Sequence, residues 1–197
     1  MTQQSIRFPY GEGRDALMAA AIDVVAEKGL RGVTYRAIAA RAGVNHTLVT
    51  HHFGSIEGLL AATMELAIER SIRESGLERI ADCNDQFADS LIESVPNEPE
   101  LHLFQFEMLL ESLRSPEVRN LVKQMYADYL KTVEAALKKQ GPDTGNEAAI
   151  AIFAALDGPM LQFLTISEPE KIRAAVVHIG RLVSALRPTG SLRDSQH

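Results

Sequence analysis

Apolar side chains recur every three to four residues along almost the whole chain, and no segment shows the sustained alternation of a half-buried strand. This pattern predicts an all-α protein. The first predicted helix runs from about Arg14 to Lys28, and Gly29 is placed to end it. Its inner face carries apolar residues at helical spacing, namely Leu17, Ala20, Ala21 and Val24.

Two short helices are predicted to follow the first. Thr34 is the expected N-cap of the second helix, because its hydroxyl can accept a hydrogen bond from an unpaired backbone amide. Gly43 supplies the positive φ angle that often ends a helix. Asn45 is predicted to cap a short third helix that ends at Phe53. Ser55 is predicted to cap a long fourth helix that continues to about residue 80.

Proline, glycine and polar residues interrupt the helical pattern in the rest of the chain and predict five further helices, about nine in all. The interruptions fall at residues 84, 96–99, 115–116, 141–145 and 167–169 and after residue 187. We therefore expect a three-helix domain over residues 1–60 and a larger helical domain over 61–188. The polar tail, residues 189–197, is predicted to be disordered.

Composition and charge limit the possible functions. Of the 197 residues, 46% are hydrophobic, which is enough for a sizeable core, and the formal net charge is −6. The charge is uneven, because residues 1–60 carry six basic and five acidic side chains, whereas the remainder carries 14 basic and 21 acidic ones. This asymmetry permits nucleic-acid contact by the first third of the chain and argues against it elsewhere.

The sequence also predicts a cytoplasmic protein without a cofactor. The first residues lack the apolar core of a signal peptide, and the longest apolar run, Ala148–Leu156, is far shorter than the roughly 18 residues of a membrane helix. The single cysteine, Cys83, cannot form an internal disulfide. The sequence shows no catalytic set of a nucleophile, a general base and an orienting residue, and no Gly-rich phosphate loop or metal-ligand spacing. We therefore expect neither a metal site nor enzymatic activity.

Residues 34–53 form two short helices joined by a Gly-containing turn, which is the layout of a helix-turn-helix. The run VTYRAIAARAGVNHTLVTHHF, residues 33–53, resembles the corresponding segment of the tetracycline-repressor (TetR) family. The likeness extends over residues 14–62 and includes Ser55, Glu57 and Leu59-Leu60. It implies a transcription regulator whose first domain binds double-stranded DNA.

Helical geometry selects the side chains that face DNA in such a domain. On the third helix Val49 and Phe53 are predicted to pack inward, so the remaining polar side chains project outward. Because the second helix of a helix-turn-helix enters the major groove N-terminus first, its first residues are expected nearest the bases. Helix starts and nearby cations are expected to bind phosphate. The predicted DNA-binding residues are Thr34, Tyr35, Arg36, Asn45, His46, Thr47, Thr50, His51 and Ser55, with Arg14 and Arg41 as further phosphate contacts.

Two residues depart from the family pattern. Thr50 stands where a tyrosine is usual, and Ile56 stands where a lysine is usual. Both family residues are typically phosphate contacts. The departures therefore predict either weaker anchoring to the DNA backbone or a substitute from the N-terminal arm, in which Arg7 is the candidate.

The resemblance implies that the second domain binds a small-molecule effector and dimerises through the last two helices. Independently, the segment Ala148–Leu156 is apolar on every side, which predicts that one face meets the core and another meets a second chain. The predicted effector-binding residues, apolar with a few polar groups, are Phe104, Glu107, Leu110, Tyr126, Tyr129, Phe153, Asp157, Gln162 and Phe163.

Taken together, these features predict a ligand-responsive repressor that binds a palindromic operator as a homodimer, because two helix-turn-helix units must lie one DNA turn or a multiple of it apart. Three alternatives remain open. The chain is an activator, or it is controlled by a protein partner, or its DNA binding is weakened. The effector, the operator sequence and the regulated genes do not follow from the residues.

Overall fold

The computed structural model describes residues 12–82, 84–139, 145–166 and 168–185. Within these ranges the chain forms nine α-helices and no β-strand, which confirms the predicted all-α class. The helices are α1 (Glu12–Lys28), α2 (Tyr35–Ala42), α3 (Thr47–Phe53), α4 (Ile56–Ser75), α5 (Asp85–Asn97), α6 (Pro99–Glu111), α7 (Pro116–Lys138), α8 (Gly145–Thr165) and α9 (Pro169–Ala185). Short 3-10 helices lie at Leu30–Gly32 and Leu77–Asp82.

The fourth helix ends earlier than its apolar pattern predicts. It was expected to reach about residue 80, but α4 ends at Ser75 and Gly76 follows with φ of 65°. Glycine adopts this conformation without a steric penalty, so it stops the helix. The amide of Arg79 then donates to the carbonyl of Gly76 at 2.8 Å, and the chain continues as a 3-10 helix.

The chain forms two compact units. The first contains the described residues up to Ser71 together with Glu98–Tyr126, and the second contains Ile72–Asn97 and the described residues from Ala127 onward. Each unit is formed by two separate segments of the chain, so this division cannot be compared directly with the single predicted boundary between residues 60 and 61. That boundary stays a prediction, and the predicted tail lies outside the described residues.

The core of the first unit joins α1 to the two short helices. All four residues predicted for the inner face of α1 are buried in it, and α2 and α3 contribute one large side chain each. Burying a Leu, Ile or Val side chain stabilises a fold by about 1.5–3 kcal/mol, so these contacts fix how α2 and α3 are held. The buried set is Leu17, Met18, Ala20, Ala21, Val24, Ile38, Val49 and Leu59.

Polar contacts connect α4 to α6 within the same unit. Ser71 donates to Oε1 of Gln105 at 3.2 Å, and both side chains are buried. Arg70 forms an ion pair with Glu98, the residue before α6. Because a buried polar group is costly without a partner, the Ser71–Gln105 bond also restricts how α6 lies against α4.

The second unit is built from α5, α8, α9 and the last part of α7. Arg173 on α9 contacts Asp89 on α5 at 2.5 Å and Asp85 at 3.6 Å. The rings of Tyr129 and Phe153 stack with centroids 4.9 Å apart. The apolar residues buried in this unit include Phe87, Leu91, Val95, Val133, Ile152, Leu156, Ile172 and Val176.

Candidate nucleic-acid interface

The second helix begins and ends as its sequence predicts. Thr34 has extended backbone angles, and its Oγ1 accepts a hydrogen bond from the amide of Ala37 at 3.1 Å. Gly43 follows the helix in the left-handed conformation, with φ of 69°. The amide of Val44 then donates to the carbonyl of Ala39 at 2.9 Å and begins the turn toward α3. Cap and turn together set the direction in which the third helix leaves.

Asn45 holds the start of the third helix in a way that the sequence predicts only in part. Its Oδ1 accepts hydrogen bonds from both the amide and the hydroxyl of Thr47, each at 2.9 Å. The side chain therefore satisfies an unpaired amide, but the helix begins at Thr47, so Asn45 lies two residues before it. His46 occupies the cap position and makes no side-chain cap bond. Asn45 thus orients the Thr47 side chain at the surface.

Seven of the predicted DNA-binding side chains surround one open depression between α2 and α3. Each of the seven is exposed, whereas Val49 on the opposite side of α3 is fully buried and Phe53 is half-buried. The outward orientation predicted for α3 is therefore present in the structure. We call this surface the α2–α3 depression, and it is lined by Thr34, Tyr35, Arg36, His46, Thr47, Thr50 and His51.

The two remaining predicted residues do not line the depression. Asn45 is exposed and acts on Thr47, as described above. Ser55 is half-buried at the start of α4, where its Oγ accepts from the amide of Gly58 at 3.1 Å. A hydrogen bond from the Ser55 hydroxyl, together with a backbone amide, lowers the pKa of Glu57. An ionised carboxylate therefore lies at the helix start where a phosphate contact was predicted.

Two of the predicted phosphate-binding cations are engaged within the protein. Arg41 forms ion pairs with Asp23, at 3.5 Å, and with Glu27. The guanidinium of Arg14 lies 5.3 Å from the centre of the Phe53 ring, an arrangement typical of a cation–π contact. Arg36 is the guanidinium that lines the α2–α3 depression. The expectation for Arg41 is therefore weakened, because its charge is already compensated by two carboxylates.

Of the two departures from the family pattern, one has a structural explanation. Ile56 packs against the core of the first unit, so an apolar side chain suits its half-buried position. Thr50 is exposed in the α2–α3 depression and keeps its short side chain at the surface. Arg7, the suggested substitute, lies outside the described residues.

The predicted effector-binding residues are divided between the two units. Phe104, Glu107, Leu110 and Tyr126 belong to the first, and Tyr129, Phe153, Asp157, Gln162 and Phe163 belong to the second. Phe104, Tyr129 and Phe153 are buried, and Glu107, Tyr126, Asp157 and Phe163 are half-buried.

Leu110 and Gln162 do not fit the predicted location inside the helical core, because both are exposed. The buried positions of α6 are Leu101, Phe104, Gln105 and Met108, a repeat of three and four residues that leaves Leu110 on the other side. The same repeat identifies Gln105, which the sequence analysis missed. A polar residue in register with buried apolar ones is the signal that marks it.

An apolar surface lies on α8, in the second unit. Ile150 and Leu161 are 47% and 46% exposed, and neighbouring alanines on the same helix are also exposed. We call this surface the α8 face, and it comprises Ile150, Ala151, Ala154, Ala155 and Leu161. By length and composition alone, Asn146–Thr165 is the one stretch among the described residues that could cross a membrane, which is weak evidence for such a role.

The described residues contain no group of three or more His, Cys, Asp or Glu side chains placed to bind a metal ion. What the first unit offers instead is a capped pair of short helices whose exposed polar side chains share one surface. Such an arrangement defines a DNA-binding regulator of the helix-turn-helix class.

Comparisons with known proteins place the chain within that class. The family model "Bacterial regulatory proteins, tetR family" matches residues 17–63, and "Tetracyclin repressor-like, C-terminal domain" matches residues 82–182. The HTH-type transcriptional regulator BetI of Rhizobium meliloti (strain 1021) is 32% identical over 195 residues, covering 90% of this chain and 91% of the relative. The chain belongs to the TetR family of transcription regulators, which confirms the resemblance drawn from its helix-turn-helix.

Solved structures agree with this assignment. A TetR-family member from Streptomyces coelicolor A3 is 27% identical, with a TM-score of 0.65, and the match covers 85% of this chain and 98% of that one. The multidrug binding protein EbrR, solved in complex with imidazole, is 26% identical with a TM-score of 0.64 and covers 92% and 98%.

Proposed function

We propose that this protein is a cytoplasmic, ligand-responsive repressor that binds a palindromic DNA operator as a homodimer. The observation that carries the proposal is the α2–α3 depression, where seven exposed polar or aromatic side chains converge on one surface. A helix-turn-helix presents such a surface to the major groove, with the start of its second helix nearest the bases.

The hydrogen bonds at the start of α3 indicate how that surface contacts bases. The Thr47 hydroxyl donates to Asn45, so toward DNA it offers its methyl group and its acceptor lone pairs. The methyl group suits contact with a thymine methyl, and the lone pairs suit the amino groups of adenine or cytosine. His46 lies beside it, while Thr50 and His51, one turn later, suit phosphates or flanking bases.

Dimerisation through α8 and α9 is supported by the α8 face. Exposed apolar side chains on a helix that also contributes to the core of its unit are typical of a helix shared between two chains. On α9, Leu182 is 60% exposed, and it adds to the apolar surface available for a partner. A second copy of the chain is the proposed occupant, since a palindromic site requires two helix-turn-helix units.

The proposed effector site lies among the aromatic side chains of the second unit. Tyr129 and Phe153 are stacked and buried, and Asp157 and Phe163 are half-buried on the same helix as Phe153. The multidrug binding protein EbrR is 26% identical to this chain. By this proposal the effector binds one dimer conformation more tightly than the other and so favours the form that releases the operator.

Selection from a random duplex library, followed by fluorescence anisotropy on the selected site, tests the proposal. We expect a palindrome to be enriched and affinity to fall steeply with salt. Thr47→Ala and His51→Ala are each expected to weaken binding by about tenfold, because one base or phosphate contact is worth about 1–3 kcal/mol.

The matched control is Asn120→Ala, which truncates an exposed polar residue of α7 in the first unit that belongs to neither the α2–α3 depression nor the α8 face. It is expected to leave operator affinity unchanged. Failure to enrich any sequence, or full affinity in both α3 variants, would contradict the DNA-reading role assigned to this surface. The effector site is tested separately. Small organic compounds are first screened for those that raise the melting temperature of the protein, and these are then tested for release of the operator. Phe153→Leu, the variant of the proposed site, is expected to weaken both effects.

A further inference from the structure

The α2–α3 depression carries little permanent positive charge for a surface that contacts DNA. Of its seven lining residues, Arg36 alone is a permanent cation, and none carries a carboxylate. Arg41, one turn and a half further along α2, is compensated by Asp23 and Glu27. Double-stranded DNA, by contrast, presents one phosphate charge per roughly 1.7 Å of its axis, and each neutralised phosphate releases bound counterions.

Two of the seven lining residues are histidines, and this changes the charge that the surface can reach. His46 and His51 are both exposed and both line the depression. Imidazole is the side chain whose ordinary titration falls between pH 5 and 8, and a protonated ring carries one positive charge. Protonation of both rings would raise the charge of the lining from one to three.

The groups surrounding the two histidines must be considered together. From α3 itself, His52 lies edge-on to His51, with ring centroids 5.0 Å apart. Tyr35 and Arg36 of α2 line the same depression. The charged residues on the neighbouring ends of α1 and α4 are Glu12, Arg14, Asp15 and Glu57. The charged groups around the two rings are thus two cations and three carboxylates, and bound DNA adds phosphates, whose negative charge favours a protonated ring.

We propose that operator binding at this surface is coupled to protonation of His46 and His51, so that affinity rises as the pH falls from 8 to 6. The inference rests on the DNA-binding role proposed above and assigns a regulation to the same site. The coupling follows from charge alone: a neutral imidazole offers DNA a hydrogen bond, whereas a protonated one offers an ion pair and releases a counterion.

The test is the affinity of the full-length protein for its selected operator, measured by fluorescence anisotropy at pH 6.0, 7.0 and 8.0 over a salt series. We expect the Kd to fall by about tenfold from pH 8.0 to 6.0, which corresponds to an average uptake of about half a proton on binding over that range. The dependence of log Kd on log salt is expected to steepen by about one to two at pH 6.0, since each new phosphate contact adds about 0.9.

Three variants assign the effect to these rings. The double variant His46→Gln and His51→Gln is expected to lose the gain at pH 6.0, while His51→Lys should bind at pH 8.0 about as tightly as the natural protein at pH 6.0. His102→Gln removes a half-buried histidine of α6 that does not line the depression and is the matched control, expected to keep the full pH dependence. Helical circular dichroism at each pH establishes that every variant is folded.

The outcomes separate this inference from the proposed function. Absence of specific binding at every pH would contradict the DNA-binding role itself. Specific binding whose affinity and salt dependence are the same at pH 6.0 and 8.0 would contradict the inference alone. A pH dependence that survives in the double variant would also overturn it, because the titrating groups would then lie elsewhere.

Discussion

Two exposed surfaces of this protein differ in chemistry although both are formed by helices. The α2–α3 depression carries hydroxyl, imidazole, phenol and guanidinium groups, whereas the α8 face carries only isoleucine, leucine and alanine. Water solvates the polar groups of the first surface well. Exposure of the second surface is unfavourable, because burying apolar surface gains about 25 cal/mol per Å². The difference indicates that the first surface suits a polar ligand, whereas the second suits an apolar partner.

The helices beneath these surfaces differ in the same way. α3 is seven residues long, and its inward side is held by a single fully buried side chain, Val49. α8 is 21 residues long and buries several apolar residues while exposing others. A short helix with one fully buried side chain relies strongly on its caps for stability, whereas a long apolar helix is stabilised by the surfaces that cover its apolar sides.

The largest effect is expected from reversing the polarity of the α8 face. Replacing Ile150 and Leu161 by aspartate places two charges where the proposed partner packs. Because an uncompensated buried charge costs several kcal/mol, the dimer dissociation constant should rise by at least about 1,000-fold. Sedimentation velocity over a concentration series measures the change, and operator affinity should fall with it.

The control for the α8 face is Leu113→Asp, which alters a leucine that is 73% exposed just after α6 in the first unit. It is expected to leave the dimer intact. A double variant that sediments as the natural protein does would mean that the α8 face is not the dimer interface, and the contrast between the two surfaces would then need another explanation.

Truncation at the inward side of α3 should produce the next largest effect. Val49→Ala removes two methyl groups from a fully buried site, so the free energy of unfolding should fall by about 2 kcal/mol. Thr50→Ala, the adjacent exposed residue, should change it by no more than about 0.5 kcal/mol. Urea denaturation followed by circular dichroism measures both. Equal losses would show that α3 is not oriented as described.

Sequence alone predicts most of this fold because its signals are local. Thr34, Gly43 and Ser55 act as caps or stops through their own side chains or backbone, so their roles are visible without knowledge of tertiary structure. The inner face of α1 follows from periodicity in the same way. The early end of α4 was missed because its apolar pattern continues past Gly76, and the glycine conformation overrides it.

The candidate site was predictable to a smaller degree. Which side chains of α3 face solvent followed from the i, i+4 spacing of the inward residues Val49 and Phe53, which is again a local property. The pairing of Arg41 with Asp23 and Glu27 was not predictable, because it joins residues on different helices. The exposure of Leu110 and the burial of Gln105 depend on which face of α6 meets the core, and hydrophobicity at single positions does not decide that.

Removal of the Asn45 side chain should have a smaller effect on the free energy of unfolding and a separate effect on the base preference of operator binding. Asn45→Ala removes the acceptor for the amide and the hydroxyl of Thr47, and the loss of such a cap costs about 1 kcal/mol. The freed hydroxyl should also bind the operator less selectively. Asn45→Ser keeps an acceptor and is the matched comparison. Unchanged stability and base preference in Asn45→Ala would contradict the positioning role given to this residue.

The smallest effect is expected at the Arg173–Asp89 ion pair of the second unit, where both partners are only half-buried. A hydrogen bond from Arg173 lowers the pKa of Asp89 below its ordinary value of 3.8. Since the folded pKa is depressed, the pair stabilises the fold above pH 4 and loses that contribution as the pH falls through the folded pKa. In Asp89→Asn the melting temperature should therefore drop slightly at pH 7 and by less at pH 3. Glu93→Gln, an exposed carboxylate on the same helix, is the control. An equal shift at both pH values would mean that Asp89 acts through packing and not through its charge.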